Sequence, residues 1–195
     1  LEPNQLIFGD NLHVMRALPS NSIDLIYIDP PFFSGRNYNV VFGDANEVRS
    51  FTDIWEGGMP GYLIWLNARL LEMKRLLKPT GSIYVHCDWH ASHYIKCEMD
   101  KIFGYENFQN EISWGYRIQG VGKKRWARKH DIILFYSKNE EFYFKPQVER
   151  IYYEKNFFDV KKDEQGRLYR DVYVRDTWDD IKALISISGE LIGYP

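Results

Sequence analysis

Four consecutive residues, Asp29-Pro30-Pro31-Phe32, directly follow an apolar run and carry the strongest chemical signal in the sequence. The two prolines fix two φ angles and remove two backbone N–H donors, and a residue before proline is held extended. The stretch therefore predicts a stiff corner that offers only acceptors, the Asp29 carboxylate and backbone carbonyls, beside an aromatic ring. A rigid turn between a strand and a loop would use the same residues.

Such a corner is suited to holding an exocyclic amino group on a planar base. The lone pair of an arylamine is delocalised into its ring, which makes the nitrogen a poor nucleophile. Two acceptors that take both N–H hydrogens would favour a pyramidal nitrogen, and the carboxylate would stabilise the positive charge that develops during alkylation. Phe32 is expected to stack on the base. We therefore predict Asp29, Pro30, Pro31 and Phe32 as catalytic residues.

Short apolar runs predict the strands that position this corner. The run 22–28, which ends at the corner, is interpreted as a buried strand. The other strands are expected at 5–8, 81–87, 108–114 and 131–137. The stretch 34–46 after the corner is polar and contains glycine, and it is predicted to be a loop.

Helical patterns alternate with these strands. Apolar residues recur at helical spacing in 62–77 and in 92–103, where Gly104 is expected to end the second helix. A shorter helix is predicted after Asp10 or Asn11, either of which can cap it. This order of elements predicts an α/β fold with a largely parallel sheet, in which ligands bind beyond the carboxyl ends of the strands.

Composition narrows the class of protein. Of the 195 residues, 45% are hydrophobic and 27% are charged, which excludes a disordered chain. A net charge of −2 means that any attraction to nucleic acid has to be local. Two cysteines, Cys87 and Cys97, are too few for a disulfide framework and favour a reducing, cytoplasmic location. No apolar run approaches the ~20 residues that span a bilayer, so no membrane contact is expected.

The stretch between Ile112 and His130 contains six basic residues and no acidic one, and it also contains the aromatic residues Tyr116 and Trp126. The basic residues are Arg117, Lys123, Lys124, Arg125, Arg128 and Lys129. A solvated loop can have this composition. Because the Asp29 corner is suited to a base, however, we predict that these basic residues contact DNA phosphates. Arg36 and Tyr38 follow the corner and are also predicted to contact DNA, in a stretch that either closes over a base or is a plain surface connection.

A zinc site is the alternative interpretation of the histidines and cysteines between 86 and 97. They are His86, Cys87, His90, His93 and Cys97. No second pair with ligand spacing completes such a site, so no metal is predicted.

Several blocks of the sequence resemble the amino-group DNA methyltransferases. Gly9-Asp10-Asn11-Leu12 followed by 21–32 resembles the permuted class in which the catalytic motif comes first. The blocks 81–90, 108–114 and 130–137 resemble adenine-specific modification subunits of type III restriction–modification systems. Near the end, residues 178–181 and Gly193-Tyr194-Pro195 resemble the approach to a Gly-Tyr-Pro-Thr-Gln-Lys-Pro block.

The resemblance implies a Rossmann-like methyltransferase sheet with S-adenosylmethionine as cofactor. It places Asp29, Pro30 and Phe32 at the target amine, Asp10 near the adenosine of the cofactor, and Asp29 beside the cofactor as well. It implies double-stranded DNA as substrate, a restriction subunit and a homodimer as partners, and base flipping. Residues 1–142 are then the catalytic core, and 143–195 are a β-rich, partial target-recognition region with a linker.

Two features refine what the resemblance implies. The Phe-x-Gly-x-Gly cofactor loop of the permuted class follows the Gly-Tyr-Pro block, so the 195 residues are expected to lack a complete cofactor pocket. An aspartate at position 29, where other members carry serine, favours adenine over cytosine as target. Two alternatives remain open: an amino-group methyltransferase that acts on cytosine, RNA or a protein glutamine, and a DNA-binding module without catalytic activity.

Overall fold

A five-stranded sheet, flanked on one face by helices, carries the Asp29 corner. The structure is a computed structural model that describes residues 4–42, 47–116 and 123–182, with backbone only for 37–42 and 47–52. The helices are α1 (Asn11–Ala17), α2 (Gly58–Leu76), α3 (Ser92–Phe103) and a 3₁₀ turn at Tyr105–Asn107. The strands are β1 (Ile23–Ile28), β2 (Asn37–Phe42), β3 (Glu47–Thr52), β4 (Leu77–Cys87), β5 (Phe108–Gly115), β6 (His130–Ser137), β7 (Val148–Tyr153), β8 (Lys161–Lys162), β9 (Leu168–Tyr173) and β10 (Thr177–Trp178).

The sheet has the order β1-β4-β6-β5-β10. β1 runs parallel to β4 and β10 runs parallel to β5, whereas β6 lies antiparallel between β4 and β5. Four strands therefore point in one direction, and the predicted α/β fold with a mostly parallel sheet is confirmed. Because β6 is reversed, its first residues lie at the same edge of the sheet as the last residues of β1 and β4.

The hydrophobic core lies between the helices and one face of the sheet. Alternate residues of the central strands, such as Val85 and Leu134, point into it and are fully buried. Leu66 and Leu70 from α2 and Ile95 from α3 pack against them, as the helical spacing of these apolar residues predicted. The helices thus hold β4 and β6 firmly behind the corner.

Local signals account for several element boundaries. The Asp10 carboxylate caps α1 by accepting a 2.8 Å hydrogen bond from the Leu12 N–H. Gly104 ends α3 with a φ of 100°, which few other residues adopt. A Cβ at Gly81 would lie 3.0 Å from the Asp24 carbonyl oxygen, so a side chain here would push β4 and β1 apart by a few tenths of an ångström.

Three expectations are wrong. Residues 5–8 form no strand, and Leu6 and Phe8 are about nine-tenths exposed. A strand needs a neighbour to pair its backbone, and none of the described strands is paired with this stretch. The stretch 34–46 is not simply a loop, because residues 37–42 form β2, which pairs with β3 in an antiparallel hairpin.

The third concerns β1, which is not a buried strand. Leu25 and Tyr27 are each more than half exposed because β1 is an edge strand of the described sheet and helices cover only one of its faces. On this uncovered face, Leu25, Tyr84 and Phe135 line a groove of about 780 Å³ that does not include the corner.

Beyond Lys138 the chain forms a small antiparallel sheet of β7, β9 and β8, and then returns to the main sheet at β10. The division into a core of 1–142 and a partial target-recognition region of 143–195 stays a prediction. Among the described residues, none of the helices combines the length and the apolar character required to cross a lipid bilayer.

Candidate active site

The Asp29 corner lies at the carboxyl end of β1 and faces solvent. The Asp29 side chain is 61% exposed, so its carboxylate is accessible to a ligand. Behind it, the Tyr62 hydroxyl from α2 donates a 2.7 Å hydrogen bond to the Pro31 carbonyl. Burial raises the pKa of Tyr62, which keeps its hydroxyl protonated as a donor. The corner is therefore anchored to the helical layer through its backbone, and the side chain of Asp29 stays accessible.

A second carboxylate, Asp53, fastens the chain just after the corner. Its two oxygens accept hydrogen bonds from the N–H groups of Phe33 (3.0 Å) and Ser34 (2.6 Å), and it also accepts from the Trp55 indole at 2.9 Å. Its backbone N–H donates to the Arg36 carbonyl at the base of the β2–β3 hairpin. Asp53 is only 1% exposed. Phe33 has a φ of 61°, and such strain persists only where neighbouring contacts impose it.

His86 connects the corner to the centre of the sheet. It stands beside Asp29 because Ile28 and Val85 pair in register, and its Nδ1 lies 3.1 Å from Asp29 Oδ1. Its Nε2 lies 3.4 Å from Asp131 Oδ2, within ionic reach but not aligned for a hydrogen bond. Burial by itself lowers the pKa of His86, but the carboxylates of Asp131 and Asp29 outweigh burial and raise the pKa to about 9.

Aromatic rings border this polar group. Phe32 and His86 pack nearly perpendicular to each other, with ring centroids 5.1 Å apart, and the centroid of Trp114 of β5 lies 5.9 Å from that of the same imidazole. Tyr116 packs on Trp114 and donates its hydroxyl to Asp131 at 3.1 Å. A carboxylate beside aromatic surfaces can accept from an amino group while the rings stack on the base that carries it.

Asp10, predicted near the cofactor, lies at the start of α1. Its carboxylate forms an ion pair with the buried Arg69 guanidinium at 2.9 Å, and Arg69 also contacts Asn11. The pKa of Asp10 is held below its usual range mainly by the hydrogen bond from the Leu12 N–H and to a lesser extent by the charge of Arg69, and burial opposes both effects. About half of the Asp10 side chain is exposed, so it keeps acceptor capacity for a ligand. Its role in cofactor binding stays a prediction.

The predicted DNA-contacting residues are only partly described. Lys123, Lys124 and Arg125 are exposed, and Lys129 is half-buried where its carbonyl accepts from the Tyr116 N–H. The Arg128 guanidinium stacks 3.3 Å from the centroid of Trp89, which follows β4. Arg36 is exposed at the base of the hairpin, and Tyr38 lies in β2 with its side chain outside the described part. Arg117 lies outside the described residues.

Sequence reasoning missed Asp53, Tyr62 and Asp131 and did not connect His86 to Asp29. One signal could have found Asp131: it directly precedes an apolar run, as Asp29 directly follows one. His86 and Cys87 are adjacent on a strand and point to opposite faces, so they do not share a ligand. No cluster of three metal-ligating side chains occurs among residues 4–42, 47–116 and 123–182.

Comparisons with known proteins show which family this chain resembles. The model of the N6/N4 methyltransferase family, described as DNA methylase, matches residues 23–186. Type II methyltransferase M.KpnI of Klebsiella pneumoniae is 33% identical over 141 residues, which are 70% of this chain and 33% of that protein. The Mod subunit of the type III restriction-modification enzyme EcoP15I of Escherichia coli is 26% identical over 157 residues, covering 70% of this chain and 24% of the subunit. This chain thus spans about a third or less of these relatives' length.

Solved structures agree on the fold. The PvuII cytosine-N4-specific DNA methyltransferase superposes with a TM-score of 0.50 at 18% identity, over 72% of this chain and 50% of that one. A DNA modification methylase of Thermus thermophilus in complex with S-adenosyl-L-methionine gives a TM-score of 0.52 at 16% identity, over 90% and 66%. Both likenesses show that the sheet has the Rossmann-like fold of these methyltransferase structures. Together with the family match over most of its length, this means that the chain belongs to the N6/N4 DNA methylase family.

Proposed function

We propose that this chain is the catalytic part of a DNA methyltransferase that transfers a methyl group from S-adenosylmethionine to the exocyclic amino group of adenine. One observation carries the proposal: Asp29 lies exposed at the carboxyl end of β1, beside two prolines that have no N–H donors, in a methylase sheet. The relative M.KpnI bears the name of a type II methyltransferase, which supports the same reaction class.

In this proposal Asp29 and the Pro30 carbonyl accept the two N–H hydrogens of the target amine. The base has to leave the duplex stack, at a cost of a few kcal/mol, because its amino group cannot otherwise reach a protein pocket. Phe32 stacks on the base, and Tyr62 and Asp53 keep the corner from moving. Bound S-adenosylmethionine supplies an electrophilic methyl group, whose C–S bond breaks as the N–C bond forms, and the amine proton passes to solvent. Alignment of this kind contributes up to about 7–11 kcal/mol in favourable cases.

The cofactor and partners belong to the same proposal. Asp10 has a half-exposed carboxylate with spare acceptor positions, which suits hydroxyl groups of an adenosine. Double-stranded DNA is the proposed substrate, and a restriction subunit is a proposed partner on the similarity to the Mod subunit of the restriction-modification enzyme EcoP15I. A homodimer is proposed as well. A cytoplasmic location completes the proposal.

The test measures transfer of labelled methyl groups from S-adenosylmethionine by the full-length protein to duplex DNA. The DNA is then digested, and the modified nucleoside is identified by mass. N6-methyladenine is the expected product. N4-methylcytosine would overturn the choice of adenine, for which Asp29 is the argument. The proposed DNA methyltransferase activity would be overturned if no label entered DNA, or if label entered only RNA or protein when these are offered as substrates.

The exposed cations between β5 and β6 lead to a prediction about DNA affinity. Replacing Lys123, Lys124 and Arg125 together with glutamine is expected to weaken DNA binding about tenfold or more. Each phosphate contact that is lost lowers the slope of log Kd against log salt concentration by about 0.9. Fluorescence anisotropy at several salt concentrations measures both quantities. Lys78→Gln with Lys101→Gln, which removes exposed cations elsewhere, is the control and is expected to leave the slope unchanged.

A further inference from the structure

We propose that His86 is a positioning residue: its imidazolium holds Oδ1 of Asp29 through Nδ1, is itself held by Asp131 through Nε2, and leaves Oδ2 of Asp29 for the target amine. Only the role of Oδ2 of Asp29 towards the target amine rests on the proposed function. The contacts between His86 and the two carboxylates are a property of the free protein, so they can be tested without DNA or cofactor.

The backbone places His86 between the two carboxylates. β1 and β4 are parallel and in register, which puts Asp29 and His86 side by side at the ends of their strands. β6 runs in the opposite direction, so Asp131 at its start reaches the same edge of the sheet. Contacts of 3.1 and 3.4 Å then lie on opposite nitrogens of one ring. A carboxylate at each nitrogen favours the doubly protonated imidazole, since both nitrogens are then donors.

The packing around the ring limits its movement. The side chain of His86 is only 10% exposed, and Phe32 and Trp114 border it. Nε2 is shielded from solvent, and the Asp131 carboxylate that faces it lies 3.4 Å away, within the reach of an ion pair. A ring held in this way keeps a charge beside Oδ1 of Asp29 and restrains the carboxylate, whose own side chain is mostly in solvent.

Titration of His86 involves few neighbouring groups. Asp29 faces it from the end of β1 and Asp131 faces it from β6, while Phe32 and Trp114 are uncharged. Tyr116, which binds Asp131, has its pKa raised to about 12 by burial first and by Asp131 next, so it remains neutral below that pH. His86 is therefore expected to stay protonated at neutral pH and to lose one proton near pH 9, which leaves a single N–H for the two carboxylates.

The first test is an NMR titration of histidine ring protons in the full-length protein. The His86 signal, assigned by its loss in His86→Asn, is expected to titrate near pH 9, well above the value of about 6.5 that an unperturbed histidine has. Asp131→Asn is expected to move the His86 midpoint to lower pH, because it removes one of the two charges that favour the imidazolium. A His86 midpoint at or below about 6.5 would overturn the proposal, since the ring would then be neutral.

The second test asks whether the contact matters for methyl transfer. His86→Ala is expected to lower kcat about tenfold with little change in KM for DNA, while His86→Asn, which keeps a donor towards Asp29, recovers part of the loss. The wild-type rate is expected to fall above about pH 9 as His86 loses its proton. This fall should be absent in both variants and present in His93→Ala. If wild type transfers methyl groups and His86→Ala has equal kcat and the same pH profile, the positioning role is wrong. If wild type transfers none, the proposed function fails while the NMR titration still decides the state of His86.

Discussion

Replacement of Asp29 by alanine is expected to reduce methyl transfer by two orders of magnitude or more and to leave DNA affinity almost unchanged. The carboxylate is the acceptor that stabilises the charge developing on the amine, and it contributes this only in the transition state. DNA affinity depends mainly on phosphate contacts, which Asp29 does not make. Single-turnover rates with labelled S-adenosylmethionine and anisotropy with duplex DNA measure the two quantities separately.

Asp24→Ala is the matched control for this experiment. Asp24 lies near the start of β1, the strand that Asp29 directly follows, and forms an exposed ion pair with Lys78. Exposed pairs contribute about 0–1 kcal/mol, so neither stability nor transfer should change measurably. An Asp29→Ala protein with wild-type turnover would rule out the amine-binding role of the corner.

Replacement of Asp53 by alanine is expected to lower both the free energy of unfolding and the rate of transfer. The substitution leaves the N–H groups of Phe33 and Ser34 and the Trp55 indole without their acceptor, and each such loss costs about 1–3 kcal/mol. A total loss of about 3 kcal/mol or more is expected from these three donors. Because the same hydrogen bonds hold the chain after the corner, transfer by the folded fraction should fall about tenfold or more. Urea unfolding and single-turnover rates test this.

Asp100→Ala separates this positioning effect from general destabilisation. Asp100 accepts from Tyr136 and Lys96 in the helical layer, away from the corner. Its loss should lower the free energy of unfolding but leave transfer per folded molecule unchanged. Asp53→Asn keeps one acceptor oxygen and should fall between wild type and Asp53→Ala in both measurements. Equal losses of transfer in Asp53→Ala and Asp100→Ala would contradict a specific role for Asp53.

These two carboxylates, Asp29 and Asp53, also differ in how far they could be predicted. Asp29 is recognisable from its neighbours alone, since the prolines act on the residues beside them and the apolar run precedes it directly. Asp53 stands in an unremarkable stretch, and its acceptor role appears only when Phe33 and Ser34, about 20 positions away in the chain, return to it. Asp131 is similar, because its contact with His86 depends on the direction of β6.

By itself, the sequence determined the elements that depend on neighbours in the chain: the Asp29 corner, the helix capped by Asp10, the helix ended by Gly104 and the strands β5 and β6. Their signals are side-chain periodicity, capping and backbone restriction, all of which act within a few residues. Only the tertiary structure decided that 5–8 forms no strand, that β6 lies reversed between β4 and β5, and that His86 stands between two carboxylates. The reason is physical: strand pairing and ion pairs join residues far apart in the chain, and their energies depend on distances that only the folded arrangement sets.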